Sequence, residues 1–271
     1  MKIHHLRNAT CIIESGQHHI LVDPMLGPKS TLPPFSYLKH RAQRNPLVNL
    51  PPNADELLAK VTLCLLTHSQ KWGIDPLTHT DHLDPAGASF LKERGIPVIC
   101  PANDSRFLKR KGMDVVLGLE KWNPTPLEDT GGSRLPIGTI TAVPARHGHS
   151  WTRHLMANGC GFYLELDGSP SVYITGDTVY TQDVEQALNR LQPDIAIAAC
   201  GSAALDIGGS ILMPMEEIIT FIQKAPGMVV ANHMDALNHC STTRPILKEA
   251  LETYDLSSKV MIPNDGETLR F

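Results

Sequence analysis

A chain of 271 residues, 42% of them apolar, suits one large α/β domain or two fused halves sharing a core. Its 24 lysines and arginines against 28 aspartates and glutamates leave a net charge of −4, so nucleic acid is not an expected partner. The start, MKIHHLRNAT, has no signal-peptide core, no apolar run nears the roughly 20 residues that span a bilayer, and six scattered cysteines form no CxxC pair, so a cytoplasmic protein with reduced thiols and no membrane contact is expected.

Residues 10–23 (TCIIESGQHHILVD) read as two β-branched strands that turn at Ser15-Gly16 and stop at Asp23-Pro24. From Gly27 to Pro52 the chain is rich in proline and mixed charge without a period, which predicts a functional lid or a poorly ordered stretch. Asn53 is placed to cap a short helix, ADELLAK, ahead of an apolar strand, VTLCLL, that ends at Thr67-His68. Asp84-Pro85 opens a helix reaching about Arg94, with a capping residue just before a proline at the first helical position. Strand IPVIC, helix SRFLKRK and strand DVVLG follow, then two strand-rich stretches, LPIGTITAVPA and GFYLELDGSPSVYIT, the latter turning at Asp167-Gly168. The last third alternates helices DVEQALNRL, MEEIITFIQKA and RPILKEALETY with strands DIAIAAC, GMVVAN and KVMIP. This order predicts a single α/β domain, 1–271, of two similar halves, about 1–145 and 146–271. Its two mixed sheets pack face to face with helices outside, an αββα four-layer sandwich.

Four of the apolar strands end in a metal-seeking residue. VTLCLL runs to His68, TITAVPA to Arg146-His147-Gly148-His149, SVYIT to Gly176-Asp177-Thr178 and GMVVAN to His233. Between the first two, LLTHSQKWGIDPLTHTDHLD places His79, Asp81 and His82 within four residues, directly before a helix. Histidine is the commonest metal ligand near neutral pH and aspartate adds a hard anionic oxygen. A lone Asp177 would be read as a helix cap, and a lone histidine as structural. Four buried strand ends carrying such residues predict convergence on one site.

These residues resemble, in order, the ligand motifs of the metallo-β-lactamase family: Thr67-His68, His79-x-Asp81-His82-x-Asp84, His147, Asp177 and His233. The flanking segments NATCIIESGQHHILVDP, YITGDT and ANHMDALNHC are similar as well, and the likeness runs from about Ile3 to Phe271. The chain looks like the branch of metal-dependent hydrolases that includes L-ascorbate-6-phosphate lactonase. The resemblance implies the metallo-β-lactamase fold and two divalent metal ions, with His68, His79 and His147 on one, Asp81, His82 and His233 on the other, and Asp177 bridging. Zinc is the first choice for the three-histidine set, with manganese or iron compatible with the oxygen-richer one. It also implies a metal-held hydroxide as nucleophile, with Asp177 and Asp81 in catalytic roles, and cleavage of an ester, lactone or amide in a small cytosolic substrate.

The chain departs from the family at one place. Ten residues, Ser69 to Thr78, separate His68 from His79, where the family has one. The expectation is a bulge that loops outward as a lid, leaving both histidines on the same ion and letting Lys71 and Trp72 shape substrate choice. Arg153, His154, His239 and Arg244 are further candidates for substrate binding, with His149 and Asn232, whereas His4, His5, His18 and His19 read as structural or exposed. Asp84 either caps the helix or fixes a histidine tautomer. Two other functions stay open: a phosphodiesterase for a nucleotide, phospholipid or RNA, and a non-catalytic metal-binding regulator. Whether the chain forms a homo-oligomer is left open too.

Overall fold

The alternation of inward and outward apolar residues becomes two seven-stranded sheets in the computed structural model, which describes residues 1–70, 79–130, 135–149, 151–157 and 159–271. The first sheet takes β1 (Lys2–Arg7), β2 (Thr10–Ser15), β3 (His18–Val22), β4 (Leu63–Leu65), β5 (Val98–Pro101) and β6 (Val115–Leu119). The second begins with β7 (Thr125–Glu128), β8 (Pro136–Pro144), β9 (Cys160–Leu166), β10 (Val172–Ile174) and β11 (Ile195–Ala199). A small hairpin, β12 (Ala204–Leu205) and β13 (Gly209–Ser210), interrupts before β14 (Met228–Asn232) and β15 (Val260–Met261) complete that sheet, and β16 (Thr268–Arg270) returns to the first. The orders are β16-β1-β2-β3-β4-β5-β6 and β15-β14-β11-β10-β9-β8-β7. The sheets therefore change over between Leu119 and Thr125, upstream of the residue-145 division expected from the pattern, and the chain's last strand crosses back.

Period-two alternation sorts the core into layers. Cys11 and Ile13 of β2, with Ile20 and Val22 of β3, meet Phe162, Leu164, Ile174, Ile197 and Val230 of the second sheet in a shared interior. The intervening Ile12 and Leu21 face the other way, toward α1 (Ala54–Leu58), α2 (Pro85–Glu93) and α3 (Ala102–Arg110). On the far side, Ala196, Ala198, Val229 and Ala231 pack under α4 (Gln182–Leu191), α5 (Met215–Lys224) and α6 (Arg244–Thr253). That is the four-layer αββα arrangement. No helix among the described residues is long and apolar enough to cross a membrane.

Caps decide where the helices next to the site begin. Asp84 accepts from the amide of Gly87 at 2.7 Å and Thr181 from that of Val184 at 3.2 Å. Asp84 also accepts from Leu26 and Gly27, so of its two expected roles it performs capping, and it adds a tie to the 26–27 turn. Gly87 has no alternative here, because a Cβ would lie 1.9 Å from the carbonyl oxygen of Pro24. Asn53 makes no cap; its amide donates to Gly266 O at 3.0 Å, and the helix that follows is only five residues long.

The proline-rich 27–52 stretch forms no helix and only isolated bridges, yet it is firmly tied. Arg7, fully buried on β1, donates to the carbonyls of Val48 (2.9 Å), Met25 (2.6 Å) and Gly27 (3.0 Å). Asn238 accepts from the amide of Phe35 and donates to Ser36 O and Arg41 O, while Asp206 accepts from Ser36 Oγ and the amides of Tyr37, Leu38 and Lys39. An Arg7→Met variant orphans three acceptors, so it is expected to lose about 3 kcal/mol of stability and to expose the 28–50 region to limited proteolysis. An unchanged denaturation midpoint and cleavage pattern would refute this anchoring role.

Candidate metal centre

The edge where the two sheets meet collects the strand ends singled out by the sequence. His68 follows β4, His147 follows β8, Asp177 follows β10 and His233 follows β14, while His79, Asp81 and His82 lie in the turn before α2. Gly176, at φ +60°, turns the chain so that Asp177 faces inward, and a Cβ there would approach Cys160 O to 2.9 Å. His233 itself holds a positive φ of 61°, a strain in a non-glycine residue that the surrounding packing sustains.

Asp177 occupies the middle. Its Oδ2 lies 3.1 Å from His82 Nε2, 3.5 Å from His147 Nε2 and 4.0 Å from His68 Nε2, and its Oδ1 lies 3.5 Å from His233 Nε2. Asp81 Oδ2 sits 3.7 Å from His82 Nε2 and 3.9 Å from His233 Nε2. The potential ligand atoms form two sets: His68, His79 and His147, and Asp81, His82, Asp177 and His233, each within 4.8 Å internally. Nε2 of His68, His82 and His233, and Oδ1 of Asp177, are buried without a hydrogen-bond partner. Four such polar atoms pointing at one small volume are costly unless something positively charged binds there, so the donor set fits divalent cations.

A second set of contacts aims these groups. Asp23, buried at the end of β3, accepts from Thr67 N (2.8 Å) and Thr67 Oγ1 (2.7 Å), and its Oδ2 lies 2.8 Å from His82 Nδ1. Thr67 Oγ1, its proton committed to Asp23, can only accept from His68 Nδ1, 3.0 Å away. One carboxylate thus places the ring proton of both His68 and His82 on Nδ1 and frees both Nε2 atoms. His147 Nδ1 donates to Ile211 O at 2.8 Å with the same effect, and His233 Nδ1 lies 3.7 Å from Cys240 Sγ. His79 differs: its Nε2 accepts from the Ala157 amide at 3.2 Å, leaving Nδ1 as the atom turned toward Asp81, 4.0 Å away. An ion at that corner must displace either the Nδ1 proton or the amide contact.

Burial drives His68 well below its ordinary pKa, takes His79 down to about 4 and lowers His147, so these rings are neutral near pH 7. Burial opposes charge on His82 and His233 too, but Asp177, reinforced at His82 by Asp23 and Asp81, holds both well above the usual value. Asp177 resists burial in turn because His82 and His233 keep it well below the carboxylate range.

The ten-residue spacing between His68 and His79 closes at its base. The amide of His79 donates to Ser69 O at 3.0 Å, Ser69 is gripped by Asp104 of α3, and the His68 and His79 rings sit 4.6 Å apart. The extra length therefore does not part the two histidines. Lys71 and Trp72, the expected lid residues, lie outside the described residues.

A cleft of about 210 Å³ opens on this cluster, bordered by His79, Asp81 and His147 on one side and by Phe35, Met156, Leu205 and Ile211 on the other. Of the further substrate-binding candidates, His239 lines it, set edge-on to Phe35 with ring centres 5.3 Å apart; burial takes its pKa down to about 4, and its Nδ1 has no partner. Arg153 and His154 border a different cleft, with Lys121 and Arg146. Arg244 is committed to Asp235 (2.9 Å) and Asp265 (2.5 Å), and His149 to Glu217 (2.8 Å). Asp23 and Phe35 were not expected at the site. The first carried a legible signal, because the hairpin strand HILV also ends in an aspartate; the second, in an aperiodic stretch, carried none.

The chain was compared with known proteins. A family model described as the beta-lactamase superfamily domain matches residues 18–234. The UPF0173 protein YddR of Bacillus subtilis is 28% identical over 274 residues, with each chain covered to 100%. The UPF0173 metal-dependent hydrolase PF1764 of Pyrococcus furiosus is 27% identical, with 99% of each covered. Among solved structures, the isothiocyanate hydrolase from Delia radicum gut bacteria superposes with a TM-score of 0.85 at 28% identity, covering 100% of this chain and 99% of that one.

Proposed function

The chain belongs to the beta-lactamase superfamily and is a metal-dependent hydrolase, and from that premise we propose that it attacks an electrophilic carbon in a small, uncharged substrate. The carrying observation is the Asp177-centred convergence of seven side chains beside a cleft with apolar walls. In this reading His68, His79 and His147 would hold one divalent ion and Asp81, His82 and His233 a second, with Asp177 available to both. Zinc is the first choice, since three imidazoles suit it. Bound ions lower the pKa of water and polarise the bond under attack.

The chain's own groups supply the rest. Asp81 faces the cleft and is placed to take the proton of the attacking water. Phe35, Met156, Leu205 and Ile211 keep bulk water away. His239, kept neutral by burial, lines the cleft and is placed to offer a ring N–H to the substrate's developing anion. An ester, lactone or amide meets these requirements, and the isothiocyanate hydrolase of similar fold supports adding an isothiocyanate carbon. Among the described residues lining the cleft there is no lysine or arginine, which favours these substrates over a phosphorylated lactone or a phosphodiester. A cytoplasmic location accords with the reduced cysteines, all six free.

Elemental analysis of the purified protein, before and after chelation, combined with a panel of lactone, ester, amide, isothiocyanate and phosphodiester, tests the reading. Up to two transition-metal ions per chain are expected, with turnover of a carbon electrophile lost on chelation and restored by zinc. Undiminished activity in metal-free protein would end the proposal, and so would a marked preference for the phosphodiester. Metal without any turnover would point to a binding protein instead.

A further inference from the structure

Of the nine large apolar residues left exposed among the described residues, five gather around one place. Tyr37, Leu38, Trp151, Leu155 and Ile207 are all at least half exposed or close to it, Leu38 at 78% and Ile207 at 71%. They come from three segments distant in sequence, and contacts between those segments make them neighbours. Asp206 accepts from the amides of Tyr37 and Leu38, which puts that pair beside Ile207. Gly208 presses so closely on Trp151 that a Cβ there would lie 2.6 Å from the indole ring.

Each segment also supplies a wall of the catalytic cleft. Phe35 precedes Tyr37 and Leu38, Leu205 precedes Ile207, and Met156 follows Leu155. Buried cleft wall therefore passes into exposed rim along all three segments, and Asp206, the charge between Leu205 and Ile207, is occupied by Ser36 Oγ and the amides of Tyr37, Leu38 and Lys39. A monomeric protein rarely leaves a contiguous apolar patch without a use.

We propose that the substrate carries an apolar arm, aliphatic or aromatic, which leaves the cleft across the rim formed by Tyr37, Leu38, Trp151, Leu155 and Ile207. The inference rests on the hydrolytic reading above and narrows it, since the reacting head group enters the metal cleft while the arm sets affinity. Continuity with the cleft wall singles out the substrate as occupant, because anything seated on the rim alone would leave that wall unexplained.

Two series test it. Esters of increasing acyl length, from butanoyl to octanoyl, should gain in kcat/KM about twofold to fourfold per added methylene, the scale of full or partial methylene burial. In a Leu38→Ser, Ile207→Ser double variant the octanoyl-to-butanoyl ratio should fall toward one. The ratio is internal to each protein, so differences in metal loading cancel. Calorimetric binding of n-alkanols, butanol to octanol, reads the same rim without turnover. If no ester is cleaved, the alkanol series still decides the arm, while the wider panel of carbon electrophiles decides the hydrolytic reading. A flat series in the unmodified protein overturns the proposal, as does an undiminished slope in the double variant. So does a dimer in sedimentation that the double variant dissociates, which would assign the rim to a second copy of the chain.

Discussion

Replacing Asp177 with alanine is expected to empty both halves of the metal centre and to lower activity by at least about 10³-fold, the scale of losing several kcal/mol of charge stabilisation. The carboxylate stands within 4.0 Å of four imidazoles drawn from both ligand sets, so no other single side chain touches so much of the site. His233→Ala removes one terminal imidazole, whose Nε2 lies near Asp81 and Asp177, and should spare the set made by His68, His79 and His147. Metal content per chain measured on the two variants decides the matter. Equal losses in both would contradict a shared role for Asp177.

Asp23→Asn is the second large effect, and it acts at a distance from the reacting atoms. Asparagine keeps the shape but replaces one accepting oxygen with an NH₂ donor. Set at Oδ1 that donor would oppose the Thr67 amide; set at Oδ2 it would face both His82 Nδ1 and Thr67 Oγ1, whose protons Asp23 now accepts there. The ring proton would move to the nitrogen needed for coordination, at His82 directly and at His68 through Thr67. Affinity for metal should fall about 10–100-fold, the usual cost of losing such a partner, while the fold survives. Competition with a chromophoric chelator measures this, and circular dichroism guards against unfolding. Unaltered affinity would mean that the Asp23–Thr67–His68 relay does not set the tautomer.

How much was readable in advance follows the physics of each part. The clustered side chains were legible because His68, His147, Asp177 and His233 each close a run of β-branched or aliphatic residues, burial at a strand end being a local property, and because His79, Asp81 and His82 crowd into one turn before a helix. The αββα layering followed from the same alternation. Assignment of strands to sheets did not, since β16 is a short edge strand whose partner β1 lies at the other end of the sequence, paired through Lys2 and Arg270, and β7 is a four-residue edge strand beside β8. The 27–52 stretch looked loose because its order comes from Arg7, Asn238 and Asp206, side chains remote from it in the sequence. Asp23 was passed over as a turn residue before proline, although it ends its strand as Asp177 does. The insertion after His68 is expected from the low cost of a longer loop to leave the two histidines together, and the bond between Ser69 and His79 closes it at the base.

Each ligand set draws on both sheets. His68 and His79 come from the side of the first sheet and His147 from the second; Asp81 and His82 come from the first, Asp177 and His233 from the second. An ion bound in either set is therefore a rivet through the seam of the sandwich, and unfolding cannot proceed without releasing it. Resistance to heat then becomes a gauge of free metal: an ion at a hundred times its dissociation constant adds about 2.7 kcal/mol to the folded state. In a cell starved of that ion the protein would lose more than its chemistry, because the unfilled sandwich opens more often and meets proteases more often, so its abundance would follow metal supply.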